Sequence, residues 1–418
     1  MLPFDQPWYR RLLGTAVALG VAGAFFGIVY LGGTGVAIDA LFGDAGTAWW
    51  SGQWWWIPLI AGGGLLVASL RSMWGVPDRV PGGVAIIEAG EVDHTTATQW
   101  TAVAAVSALV GASLGPSFAL VIMGGGLASW IAHRRFPKDD AAQDYTLTGI
   151  AGGFGAAFTS PILGAFMVSE LGPTPRTRYV TAIIPQLIAA TVGFVLFYSV
   201  AGRTFLGSYG LPDYEFGISD IAVAALLGLL SAAVMMIFVG VLLAVRWASR
   251  LVPNPYLRGL LFGGCVGLIA VALPLTLGAG QSQLGTVVEG AGAMGVGLLV
   301  AALIGKMVAM ALSLGAGFMG GNVFPLIFIG GTAGTVVHLI FPDIPYALAV
   351  SCMLAAVPGS YLRAPVSMTF IAVIAMSLGP ENVSPVVVAV ITSYLVVAVV
   401  RFALSKRKAA TARATAAT

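Results

Sequence analysis

Between Leu12 and Val36 the chain carries no charged residue, and shorter charge-free runs recur from Ala293 to Ile304 and from Ser384 to Val400. A helix needs ~20 apolar residues to cross the hydrocarbon core of a bilayer, and the first run supplies them. Within that core every backbone N–H and C=O must find a partner in the protein, which leaves helices and closed barrels. A barrel strand alternates apolar and polar residues, whereas these runs are apolar on every face. Only 9% of the residues are charged, against ~25% in soluble domains. A mean hydropathy of +0.94 leaves too little polar surface for a water-soluble body of this size. The expected fold class is an all-α polytopic membrane protein.

Charge placement suggests orientation. Arg10 and Arg11 precede the first apolar run, with no short apolar region and cleavage site of a removable leader. Ser405-Lys406-Arg407-Lys408 closes the last run before an Ala/Thr-rich tail. Basic residues at both ends place both termini in the cytoplasm. That implies an even number of crossings of the cell membrane, with the lipid bilayer as partner. The net charge of +3 follows from this orientation, and no basic stripe supports a nucleic-acid partner. Cys265 and Cys352 sit in apolar segments without metal or redox spacing, and His94, His133 and His338 are scattered. No metal and no cofactor is expected. The apolar segments hold no Ser/His pair, paired Asp or HExxH, so an enzyme is not expected either.

Two halves are legible. The turn-rich interval Arg203 to Asp220 divides the chain into a first half-repeat at 1–205, a connecting loop at 206–220 and a second half-repeat at 221–405. A basic, disordered cytoplasmic tail at 406–418 follows. In the first half Gly115-Pro116 is followed by Gly125 and later by AAFTSP, ending at Pro161. In the second, Phe324-Pro325 is followed at the same offset by Gly334 and later by YLRAP, ending at Pro365. Glu88 and Glu289 precede the two sets. If each half has an odd number of crossings, the halves insert upside down relative to one another. Glycine- or proline-interrupted segments at matching places then mark the substrate site. GASLGP (Gly111–Pro116) and GGNVFP (Gly320–Pro325) are such a pair.

A proline in the first turn of a helix loses nothing, because the N–H it lacks has no intrahelical partner. Pro116 and Pro325 therefore read as helix starts inside the membrane. The first N–H groups of such helices face a cavity or a ligand, and the helix dipole adds about half a positive charge there. Facing starts bind an anion without Lys or Arg, weakly enough for it to leave. The competing reading is close helix packing, which 56 glycines make easy to match by chance; the repeated order favours a site.

These segments resemble the CLC family of chloride channels and anion/proton exchangers, from about Val80 to the end of the last apolar helix. LVGASLGPSFALVIMGGG is similar to the family's G-[RK]-E-G-P region, and GAGFMGGNVFPLIFIGGTAG to its G-x-F-x-P region. GFGAAFTSPILGAFMVSE and SYLRAP resemble the stretches that follow, and PGGVA at Pro81–Ala85 is a weaker match to G-S-G-I-P. The resemblance implies an inverted repeat of broken, tilted helices and a homodimer with an anion pathway in each subunit. Helix N-termini would line that pathway, through backbone groups at Gly82, Gly83, Leu114, Gly115, Asn322, Val323 and Phe324.

The departures point to a divergent prokaryotic member. The family's gating glutamate falls at Leu114, the basic residue before it at Ser113, the central serine at Gly82 and its phenylalanine partner at Val323. The exchangers' inner glutamate falls at Leu171, beside Glu170. No tyrosine follows Tyr394, and the chain stops without CBS domains. Leucine cannot carry a proton between ion site and solvent. Passive movement of a small inorganic anion, chloride first, is therefore expected. The alternatives are an anion/proton antiporter, with fluoride among its substrates, and a non-conducting member. Glu88, Glu170 and Glu289 are expected to accept from freed backbone N–H groups, and Lys306 to snorkel or bond backbone. Trp49, Trp50, Trp54, Trp55 and Trp56 are expected to form an interfacial belt.

Overall fold

The computed structural model describes residues 3–43, 52–137, 141–158, 160–202, 206, 209–212 and 214–416. Among them the backbone is helical between turns, and its one extended pairing is an antiparallel bridge joining Gly115 to Gly321. The first half runs α1 (Pro7–Gly27), α2 (Gly33–Phe42), α3 (Trp56–Met73), α4 (Gly83–Ala89), α5 (Ala97–Leu109), α6 (Ser117–Arg135), α7 (Ala142–Ala157), α8 (Pro161–Leu171) and α9 (Tyr179–Ala201). The second runs α10 (Ser219–Arg250), α11 (Pro255–Ala272), α12 (Gln281–Ala316), α13 (Val323–Ile340), α14 (Tyr346–Leu362), α15 (Pro365–Ala375) and α16 (Val383–Ala416). Eight stretches of the described residues are long and apolar enough to cross a bilayer, while α8, α14 and α15 are apolar but shorter. Helix α16 continues to Ala416, into the interval expected as a tail; alanine, the strongest helix former, is frequent there.

The repeat is visible as architecture. Helices α6, α7 and α8, of 19, 16 and 11 residues, are matched by α13, α14 and α15, of 18, 17 and 11. Glycines set the spacing inside each half. A Cβ on Gly124 of α6 would lie 2.3 Å from the carbonyl oxygen of Gly149 on α7, and one on Gly330 of α13 would lie 2.4 Å from that of Met353 on α14. Backbones this close leave no room for a side chain, as is usual where membrane helices pack. Nearly every residue of α7, α13 and α14 is buried, so the matched elements form the centre of the molecule.

The structural register differs from the one the prolines suggest. The bridge pairs Gly115 with Gly321, and the close approaches pair Gly124 with Gly330. That offset is three residues shorter than the one linking Pro116 to Pro325 and Gly125 to Gly334. Pro116 stands just before α6, whereas Pro325 is the third residue of α13. Proline is tolerated at any of these positions, so it marks a helix start without fixing its register.

The tryptophan cluster divides. Trp49 and Trp50 lie outside the described residues, and Trp54 is exposed, but Trp56 is fully buried. Phe42 stacks on Trp55 and meets Trp56 edge-on, with ring centroids 6.2 and 5.4 Å away. Aromatic packing thus draws Trp56 into the core instead of the interface.

Candidate functional site

Each break is built from the same parts. Helix α5 ends in Gly111 at φ +80°, and α12 ends in Gly317 at φ +96°, both in the left-handed region where glycine is unstrained. The next residues fold back alike, with Ala112 N–H donating to Ser107 O and Phe318 N–H to Ser313 O, each at 3.1 Å. The serines then cross between halves. Ser107 Oγ accepts from Met319 N–H at 3.0 Å, and Ser313 Oγ accepts from Ser113 N–H at 3.1 Å. Ser107 lies as far before Ser113 as Ser313 lies before Met319. Between these anchors, Gly115 N–H donates to Gly321 O at 2.7 Å and Gly321 N–H to Gly115 O at 2.6 Å. The two breaks form one clasp with near-twofold symmetry.

The clasp decides which of the expected site residues face open space. A cavity of about 990 Å³ reaches it from one side, and Gly82, Gly83, Asn322 and Val323 line that cavity, with Ser117 and Phe118 at the start of α6. Leu114, Gly115 and Phe324 are not in the lining. Leu114 is 5% exposed, and a Cβ added to Gly320 would fall 2.5 Å from the Leu114 Cβ. The Leu114 N–H donates to Ala112 O at 2.7 Å, and that of Gly115 is used in the bridge. Phe324 is fully buried and stacks on Phe158 at 5.7 Å. The first bonds inside α6 and α13 are made by Leu120 and Leu326. The N–H groups of Ser117, Phe118 and Ala119 and of Val323 and Phe324 therefore stand ahead of them. Of these residues, Ser117, Phe118 and Val323 line the cavity. No carboxylate, Lys or Arg occurs from Ser113 to Phe118 or from Phe318 to Phe324.

Tyr361, near the end of α14, also lines the cavity, and its hydroxyl accepts from Asn322 Nδ2 at 3.5 Å. Its ring meets Phe238 edge-on at 6.1 Å. The segment after Tyr394 supplies no tyrosine, but the fold brings one to the cavity from another helix. SYLRAP contains it, and only its distance in sequence from Asn322 hid it.

The isolated charges find varied partners. Glu170 accepts from Val366 N and Ser367 N, both at 2.8 Å, and from Ser367 Oγ at 2.6 Å. It caps α15 from α8, as expected of a carboxylate near freed N–H groups. Glu88 instead pairs with Arg363 at 3.4 Å, and Glu289 is exposed. Lys306, fully buried, bonds backbone: its Nζ donates to the carbonyls of Thr276, Leu277 and Gly278 at 3.1, 3.4 and 2.7 Å. Thr276 O also accepts from Ser113 Oγ at 3.1 Å, which ties this network to the clasp. His94 and His133, distant in sequence, stack at 5.4 Å. Glu170→Ala removes three bonds to a helix start and is expected to destabilise by about 1–2 kcal/mol. Thermal unfolding in detergent checks this; an unchanged midpoint contradicts it.

An all-α membrane protein with two matched halves that meet at paired helix starts is built as many secondary transporters are. The chain belongs to the voltage gated chloride channel family, whose profile matches residues 73–398. Among solved structures it is similar to a slow cyanobacterial Cl−/H+ antiporter, with TM-score 0.80 and 18% identity over 93% of this chain and 95% of that one. It is also similar to a CLC-type fluoride/proton antiporter, with TM-score 0.76 and 21% identity over 94% and 96%. These likenesses show the CLC fold with its inverted repeat. Proteins named "Putative ion-transport protein YfeO" from Escherichia coli O7:K1 (strain IAI39) and Salmonella newport (strain SL254) are each 28% identical over 247 residues. Those matches span 58% of this chain, and 58% and 59% of the relatives' lengths. The chain is a multi-pass membrane protein of an anion-transporting family.

Proposed function

We propose that the chain lets chloride-type anions cross the cell membrane passively, without obligatory proton exchange. One observation carries the reading: the clasp between the halves holds Leu114, a hydrocarbon side chain, and no carboxylate. A coupled exchanger needs a titratable group that moves between ion site and solvent, and neither Leu114 nor Leu171 titrates. Glu170, beside Leu171, is engaged with the start of α15. The neutral N–H groups at the starts of α6 and α13 hold an anion weakly enough to release it. The homodimer, with both termini cytoplasmic, belongs to the same proposal.

Proteoliposomes loaded with chloride test it. Efflux is expected only when a potassium ionophore balances charge, with no net proton movement. Protons driven uphill in fixed ratio by the chloride gradient would sink the reading. A parallel run with fluoride ranks the two anions.

A further inference from the structure

Among the described residues, the cavity that leads to the clasp is lined by seven arginines, two carboxylates and no lysine. The whole chain has only 20 Lys and Arg, so a third of its cations converge on one concavity. They come from α3, the approach to α4, α10, α11, the end of α14 and α16. Three of the seven are engaged. Arg71 donates to the carbonyls of Gly317 and Pro77. Arg258 pairs with Asp78, and Arg363 with Glu88, each at 3.4 Å. Arg79, Arg246, Arg250 and Arg401 have no acidic partner among the described residues. Arg246 and Arg250 stand one turn apart on α10, where like charges repel.

Membrane orientation alone accounts for basic residues at one interface, but it does not gather them around a cavity. An electropositive mouth also draws a monovalent halide toward the helix starts, but a halide makes no use of the geometry of a guanidinium fork. Arginine presents a planar fork of donors that matches the oxygens of phosphate and carboxylate. The volume of about 990 Å³ lies at the upper end of ordinary ligand pockets. Ser117, Phe118 and Val323 line the same cavity, so an occupant shares the space through which the first-turn donors are reached.

We propose that this vestibule binds a multivalent phosphate oxyanion, which plugs the anion route while it is bound. The binding half stands on the cavity alone; the plugging half rests on the passive-transport reading. The site is formed by the unpaired guanidinium groups of Arg79, Arg246, Arg250 and Arg401. Two sources share this chemistry: a soluble polyphosphate or phosphorylated metabolite, and the headgroup of an anionic phospholipid at the vestibule rim.

The test uses tripolyphosphate as probe, with the full chain in phosphatidylcholine nanodiscs at low ionic strength. Direct binding by calorimetry is expected for the wild type, and at least tenfold weaker binding for R246Q/R250Q. R134Q/R135Q, which changes basic residues at the far end of α6, is expected to bind as the wild type does. R79Q, on a separate element, is expected to weaken binding independently of the α10 pair. In phosphatidylglycerol nanodiscs, a loss of tripolyphosphate affinity greater for the wild type than for R246Q/R250Q assigns the lipid headgroup as a competing occupant, since surface-charge repulsion weakens both alike; an equal loss or none assigns the soluble source. Both outcomes support the site. No tripolyphosphate binding in phosphatidylcholine, or equal binding by the wild type and R246Q/R250Q, overturns it. In proteoliposomes, tripolyphosphate on the vestibule side is expected to slow chloride efflux of the wild type and not of R246Q/R250Q. Binding without slowing overturns the plug. A chain that passes no chloride at all fails the passive-transport reading and leaves the calorimetric result to decide the site.

Discussion

Leu114→Glu is expected to turn pH-insensitive chloride efflux into efflux that slows at least tenfold at neutral pH and recovers as the pH falls. The substitution places a carboxyl group at the clasp, next to the first turn of α6. Burial raises the pKa of such a group, while nearby N–H donors and the positive end of the helix dipole lower it. Above its pKa the carboxylate competes with chloride for the donors of Ser117 and Phe118. A hydrogen bond to a charged group contributes about 1.5–3 kcal/mol, and each 1.4 kcal/mol is about tenfold in occupancy. Below its pKa the group is neutral, loses that advantage and frees the donors, so the sign is fixed: acid opens and base closes. Leu114→Gln supplies similar size without titration and is expected to show no such recovery. Fluorescence-monitored efflux from proteoliposomes across the acid-to-neutral range reads all three proteins. If Leu114→Glu and Leu114→Gln behave alike, position 114 is not a gate and the passive-transport reading loses its main support.

The contrast between what the residues announce and what they conceal has a physical basis. Membrane crossing is legible because hydrocarbon imposes a length and a composition on each helix. The breaks are legible because Gly and Pro are costly inside a membrane helix unless something uses them. The clasp is not. Gly115 and Gly321 are remote in sequence, and no local preference predicts that their N–H groups satisfy one another. For that reason the sequence suggests Gly115 as a lining residue, whereas its N–H is taken by the bridge and Ser117 and Phe118 line the cavity instead. The same remoteness hides Tyr361 beside Asn322 and the pairing of Glu88 with Arg363. The serines Ser107 and Ser313 did carry a signal, since each precedes its glycine turn by the same interval. Comparing the two halves at the ends of α5 and α12, instead of at the prolines, would have revealed both the register and the crossed anchors.

Gly321→Ala is the sharpest test of the clasp itself, and it is expected to cost more than tenfold in chloride efflux and to lower the unfolding midpoint. A Cβ at this position would lie 1.8 Å from Ser117 Oγ and 2.9 Å from Phe118 N. The hydroxyl can rotate away, but the backbone nitrogen belongs to the first turn of α6 and can move only if the helix start moves. Relief therefore means breaking the bridge to Gly115, which leaves two buried N–H groups and two carbonyls to be satisfied anew. Overpacking of this kind costs about 1–3 kcal/mol, before the lost hydrogen bonds are counted. Ser117→Ala combined with Gly321→Ala removes the nearer clash and keeps the farther one, so partial recovery is expected. Gly14→Ala, on α1 with no atom within 4 Å of the added carbon, is expected to match the wild type in both measurements. If Gly321→Ala folds with an unchanged midpoint and conducts normally, the bridge is dispensable, and the anion route does not depend on the two helix starts being held together.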